Sequence, residues 1–215
     1  MGFATTSILD DFNRANEGPP PSSNWSGITT TTNTLKVTSN QLDVDSTDIY
    51  GFGSAYWNPA SFGADSEAYL TIATKPTDGA GNLRVGARMA GVGDIFTFTG
   101  YFYFFEPAAG TDTIKITRID TGGVETVLGA TISQEVAAGE KLGLEVIGTT
   151  IKVFHNSGSG WSDISSGGRT DATYGSAGRI GLLSNDITSN YDDFGGGTVL
   201  PYTQTQKLMM MGIGQ

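Results

Sequence analysis

Thr113-Ile114-Lys115-Ile116-Thr117-Arg118-Ile119 alternates apolar and polar residues without a break. Successive side chains of an extended chain point to opposite faces, so this stretch predicts a β-strand with one face on a core and the other in water. The same period recurs in Ala68-Tyr69-Leu70-Thr71-Ile72-Ala73 and in Leu83-Arg84-Val85-Gly86-Ala87-Arg88-Met89. Between these strands, Ile95-Phe96-Thr97-Phe98-Thr99-Gly100-Tyr101-Phe102-Tyr103-Phe104-Phe105 begins as alternation and becomes unbroken aromatic. That pattern predicts one central strand covered on both sides or lining a concave face. Leu35-Lys36-Val37 and Gln41-Leu42-Asp43-Val44-Asp45, separated by Thr38-Ser39-Asn40, read as a hairpin, as do Leu142 to Gly148 and Thr149 to Asn156. No segment carries helical periodicity. The reading is all-β, with two antiparallel sheets packed face to face.

Composition agrees. The chain has 215 residues, of which 31 are Gly and only 16% are charged, as expected of many short strands joined by tight turns. It has no cysteine, so a hydrophobic core must supply the stability that disulfides or a zinc–thiolate site would otherwise give. A formal net charge of −10, with twelve Lys and Arg scattered along the chain, repels nucleic acid and anionic membranes. No apolar run reaches the length of a membrane span. The start, Met1-Gly2-Phe3-Ala4-Thr5-Thr6-Ser7, has neither the basic nor the apolar region of a secretory signal. An exterior location therefore implies release by lysis or assembly into a particle. The domain is expected to cover residues 1–199. Residues 200–215 read as an extended linker and apolar tail, in which Leu208, Met209, Met210, Met211 and Ile213 would plug a groove of an assembly partner.

Asp-Asp-Phe occurs twice, in Asp10-Asp11-Phe12-Asn13-Arg14-Ala15-Asn16 and in Tyr191-Asp192-Asp193-Phe194, the second about ten residues after Gly178-Arg179-Ile180-Gly181-Leu182. Together with Asn24-Trp25, these motifs resemble the opening and closing of concanavalin A-like lectin/glucanase domains of the laminin G-like kind. The resemblance brackets residues 8 to 199. It implies a jelly-roll sandwich whose first and last strands pair, bringing the two Asp-Asp-Phe segments together. It also implies a structural calcium, for which Asp10, Asp11, Asp192 and Asp193 are the candidate ligands, since a hard cation gathers carboxylates that otherwise repel. Such domains occur in bacteriophage virion and bacterial surface proteins.

Candidate sites are few. Tyr101, Tyr103, Tyr56, Trp57, Trp25 and Trp161 either stack on sugar rings or fill the core. The seven glutamates are dispersed, and the Glu-x-Asp-x-x-Glu strand of retaining glucanases is missing, so catalysis is not expected. The single histidine, His155, stands alone, and Gly195-Gly196-Gly197 lacks the Lys of a phosphate loop and reads as a bulge or strand end. The expected function is a non-enzymatic virion structural protein, a capsid decoration or fibre-like component, homo-oligomeric and bound to assembly proteins. The alternative is a carbohydrate-binding module or adhesin at a cell surface or outside the cell. A divergent glycan hydrolase is the weaker alternative.

Overall fold

In the computed structural model, which describes residues 2–31 and 33–201, every regular element is a strand. In chain order these are β1 (Ile8–Asp10), β2 (Trp25–Ser26), β3 (Leu35–Thr38), β4 (Gln41–Val44), β5 (Gly53–Trp57), β6 (Ser66–Thr74), β7 (Leu83–Ala90), β8 (Thr99–Glu106) and β9 (Thr113–Asp120). There follow β10 (Val124–Val127), β11 (Ile132–Ser133), β12 (Lys141–Ile147), β13 (Thr150–Asn156), β14 (Trp161–Asp163), β15 (Arg169–Thr170), β16 (Arg179–Ser184) and β17 (Asn190–Thr198). They form two antiparallel sheets. The nine-stranded sheet runs β14-β13-β12-β6-β17-β4-β3, with β1 added to β17 and β15 to β13. The eight-stranded sheet runs β10-β9-β8-β7-β16-β5-β2, with β11 added to β9.

Period two decides which side chains meet between the sheets. Ile114 and Ile116 of β9, Tyr101, Tyr103 and Phe105 of β8, and Val85 of β7 pack against Leu70 and Ile72 of β6 and Leu142 and Leu144 of β12. The intervening residues of each strand lie on the outer faces. β8 is covered on both sides as expected, because Phe102 joins a second cluster outside, with Ile28, Met89, Phe98, Ile119 and Leu183. The expected strand from Ile95 is too long, however. Asp94 accepts a bond from the Phe96 amide (2.8 Å) through its carboxylate and bonds from the Thr97 and Phe98 amides through its carbonyl, so residues 91–98 turn back over the sheet and the strand starts at Thr99. A side chain that satisfies local amides competes with the ladder.

Both hairpins form. Ser39 and Asn40 sit at φ 54° and 62°, the paired left-handed conformations of a two-residue turn that matches strand twist. β1 pairs with β17, placing Asp10 opposite Phe194, so the two Asp-Asp-Phe segments meet. The bulge expected near the triple glycine lies just before it, at Asp193 (φ 48°), where the β17–β6 register shifts between Asp192 and Gly195. Gly195 then has a separate cause: a Cβ there would fall 2.2 Å from the Tyr69 ring, which lies across it.

Candidate functional site

The six aromatic candidates fall in three different places. Tyr101, Tyr103 and Trp25 are core residues, at 0%, 0% and 2% exposure, and none presents a ring to a ligand. Period two explains why, since Tyr101 and Tyr103 share the inward parity of Phe105. Trp57 also turns inward, edge-on to Trp25 with ring centres 5.5 Å apart. Tyr56 points the other way, onto the outer face of the eight-stranded sheet, under the Arg179 guanidinium. Trp161 lies on the outer face of the nine-stranded sheet, with its ring 4.8 Å from Phe3.

Tyr101 instead anchors a polar network. Its hydroxyl donates to Asp171 Oδ1 (2.6 Å), Arg118 donates to Asp171 Oδ2 (2.6 Å) and forks onto Asp120, and the Tyr174 hydroxyl donates to Asp120 (2.7 Å). Burial alone would push the Asp171 carboxyl up, but the bonds from Tyr101, Thr173 and Arg118 together hold it at about 2. A depressed carboxyl stabilises the fold above its unfolded value near 4, and that contribution disappears as the pH falls through its folded value. Asp171→Asn is therefore expected to lose about 1–2 kcal/mol at neutral pH and to flatten the stability profile between about pH 4 and 2. Urea denaturation across that range checks it, and a profile as steep as that of the wild type would refute the assignment.

The four aspartates are brought together without forming a calcium cage. Both Asp10 oxygens are taken by donors: Phe12 N (2.9 Å), two Arg14 nitrogens (2.6 and 3.1 Å) and Trp25 Nε1 (2.8 Å). Asp193 accepts from the Lys141 ammonium (2.9 Å), Asp11 caps the Asn13 amide and Asp192 caps the Asp193 amide. Among the described residues no three His, Asp, Glu or Cys side chains converge to hold a metal. Leu208, Met209, Met210, Met211 and Ile213 lie outside the described residues.

Of two carboxylates that face each other across strands, one is closed off. Glu67 and Glu145 stand directly opposite each other on β6 and β12, the spacing at which a retaining hydrolase sets its acid and nucleophile. Glu67, however, is fully buried, and its Oε1 accepts three bonds from Thr5 and Thr6. His155 is buried against Glu140 (2.7 Å), a structural ion pair or hydrogen bond at a strand end.

A cluster of partly exposed charged and aromatic side chains lies on the outer face of the eight-stranded sheet. Arg84, Phe104 and Lys115 stand side by side on β7, β8 and β9. The Arg84 guanidinium lies 4.2 Å from the Phe104 ring centre and 5.2 Å from that of Phe52, and the Lys115 ammonium lies 5.0 Å from Phe104. Rings on either side restrict the rotamers of a cation without using its N–H groups. Glu106 pairs with Lys115 (2.5 Å) and Glu125 with Arg84 (3.4 Å), while Arg84 Nε has no hydrogen-bond partner among the described residues. Burial holds this guanidinium below its usual range, with Glu125 and Glu106 opposing. Two loops form the rim. In residues 45–52, the Asp48 carboxylate collects the amides of Tyr50 and Phe52 and the Thr29 hydroxyl. In residues 91–98, Asp94 accepts the Phe96 amide through its carboxylate and the Thr97 and Phe98 amides through its carbonyl. The tips touch where Tyr50 meets Phe96 edge-on, and Ile49 and Phe96 are exposed by 86% and 59%.

Sequence reasoning missed this set. Its signal was the polar half of the alternation, Arg84 and Lys115, on strands bracketing the aromatic run.

No protein-family model matches the sequence, and no curated protein matches it. Solved structures do. The carbohydrate-binding module CBM66 from Bacillus subtilis superposes with a TM-score of 0.51 at 20% identity, over 81% of this chain and 92% of that one. The VIP36 exoplasmic/lumenal domain, in its Ca2+/Man3GlcNAc-bound form, gives 0.53 at 16% identity, over 86% of this chain and 88% of that one. A xylan β-1,4-xylosidase from Bacillus halodurans C-125 gives 0.54 at 14% identity, over 91% of this chain but 40% of the enzyme. The fold is the concanavalin A-like jelly roll, shared by lectin-like modules and by part of a hydrolase chain.

Proposed function

We propose that the protein is a non-catalytic carbohydrate-binding module that holds a glycan on the outer face of its eight-stranded sheet. The observation that carries this reading is the Arg84–Phe104–Lys115 row, in which aromatic rings fix two cations beside two carboxylates. Sugar hydroxyls both donate and accept, so a fixed array of charged donors and acceptors matches them at several points, and charge-assisted bonds are the stronger kind. The rim rings of Tyr50 and Phe96 supply apolar faces for the C–H surface of a pyranose. CBM66 and the Man3GlcNAc-bound VIP36 domain, with the same fold, support the substrate class. Calcium has no role in the binding step proposed for this face.

The reading as a virion component rests on residues 208–213, which lie outside the described ones, so the sandwich leaves it untested.

A glycan array probed with the full-length chain, in calcium and in chelator, tests the function. Hits should be the same in both buffers. Phe96→Ala removes an exposed ring and Arg84→Lys removes the planar fork, so each is expected to weaken the best hit about tenfold or more, a loss of about 1.4 kcal/mol, without altering the β-sheet circular dichroism. Unchanged affinity in both variants would exclude this face.

A further inference from the structure

The first residues of the chain cross the outer face of the other, nine-stranded sheet and close over a slot shaped for a ring. Phe3 stacks on Phe154 at 4.3 Å and 3°, with Trp161 edge-on at 4.8 Å and Tyr69 edge-on at 6.1 Å. The slot needs Gly143 as its floor: a Cβ there would come within 2.3 Å of the Phe3 ring. Behind Phe3 the strap is held at few points. Glu67 Oε1 accepts from Thr5 N (2.6 Å), Thr6 N (2.6 Å) and Thr6 Oγ1 (2.7 Å), and the Tyr69 hydroxyl donates to the Thr6 carbonyl (2.9 Å).

The other oxygen of Glu67 sets a problem. Oε2 is buried and has no hydrogen-bond partner among the described residues. Directly across the ladder stands Glu145, which lines a cavity of about 370 Å³ with Gly2, Thr5, Asp65 and Ile147. Residues opposed in this way have Cβ atoms about 5 Å apart, so a carboxylic acid on Glu145 can donate to the vacant Oε2, whereas two carboxylates repel in a poorly solvated place. We propose that residues 2–7 form a proton-latched cover, held down while the Glu145 carboxyl gives a hydrogen bond to Glu67 Oε2 and lifting when that proton is lost, which bares the Phe154–Trp161–Tyr69 slot.

The surroundings of Glu145 fit a group that keeps its proton. Burial pushes its carboxyl up; Lys152, its partner on β13, opposes this, and Glu67 on β6 and Asp163 on β14 add to it, with the amino-terminal charge opposing. Lys152 is itself shared with Asp163 (3.7 Å), and Asp65 is engaged by the Gly148 amide (2.8 Å) and Arg88 (3.6 Å). A raised carboxyl stabilises the closed state below its open-state value, and the contribution is lost as the pH rises through the closed-state value. The cover is therefore tight in acid and loosens towards alkali.

Hydrogen exchange of the Thr5 and Thr6 amides in the full-length protein, corrected for intrinsic rates from about pH 4, where an ordinary Glu titrates, to about pH 9, reads the latch. Protection is expected to fall by about tenfold or more across the window, while amides in the centre of β8 stay protected. Glu145→Gln can donate to Oε2 at every pH and should keep Thr5 and Thr6 protected throughout. Glu145→Ala removes both proton and charge and should also give a flat profile, at lower protection. A flat wild-type profile, or the same fall in both variants, overturns the proposal.

Discussion

Asp10→Ala should remove about 3–4 kcal/mol from the unfolding free energy, among the largest single losses available to this chain. Asp10 is 7% exposed, and its two oxygens collect a backbone amide, both ends of a guanidinium and the indole N–H of a buried tryptophan. Truncation strands Trp25 Nε1 and leaves Arg14 with only the more exposed Glu17 and the Pro21 carbonyl. An uncompensated buried donor costs more than its hydrogen bond was worth. The loss also falls where the first and last strands meet, against the Trp25–Phe194 ring contact at 5.0 Å. Denaturant unfolding checks it. A loss below about 1 kcal/mol would show that Asp10 is not the tie described, and a wild-type stability that drops in chelator would return it to the role of a calcium ligand.

Tyr103 should give effects of opposite sign from two substitutions. Tyr103→Ala empties a fully buried ring site between the sheets and is expected to cost about 3–5 kcal/mol. Tyr103→Phe keeps the ring and deletes a hydroxyl that is buried with no partner among the described residues, so stability should hold or rise by about 1 kcal/mol. The pair separates packing from recognition, because the phenylalanine variant should keep the glycan profile of the wild type. A clear loss of stability in Tyr103→Phe would mean that the hydroxyl has a partner, such as a bound water.

Much of the sandwich could be read from period two alone. Thr113 to Ile119 forms β9 as expected, both hairpins close, and the paired Asp-Asp-Phe motifs lie side by side on β1 and β17. The site was less legible, because alternation says which residues share a face but not which face is inward. Tyr101 and Tyr103 were placed in the right strand, yet the parity that buries them is fixed only by what packs opposite, Leu70 and Leu142 among others. For the aspartates, the motif told that the backbones of β1 and β17 would meet but not that Arg14 and Trp25 would bond to Asp10 and Lys141 to Asp193. Asp94 illustrates a local override, in which its carboxylate and its carbonyl together take the amides of Phe96, Thr97 and Phe98 and turn the first residues of an alternating run into a loop. The Glu67 and Glu145 pair had no sequence signal at all, since the two residues are more than seventy positions apart and meet only through the pairing of β6 with β12.

Backbone chemical-shift mapping of the full-length chain, titrated with the saccharide best retained on the array, tests the central claim most directly. The account predicts that the perturbed amides cluster at residues 49–52, 84, 94–97, 104, 106 and 115, on the outer face of the eight-stranded sheet. Perturbations gathered around Phe154 and Trp161, or no saccharide that shifts any amide, would contradict it.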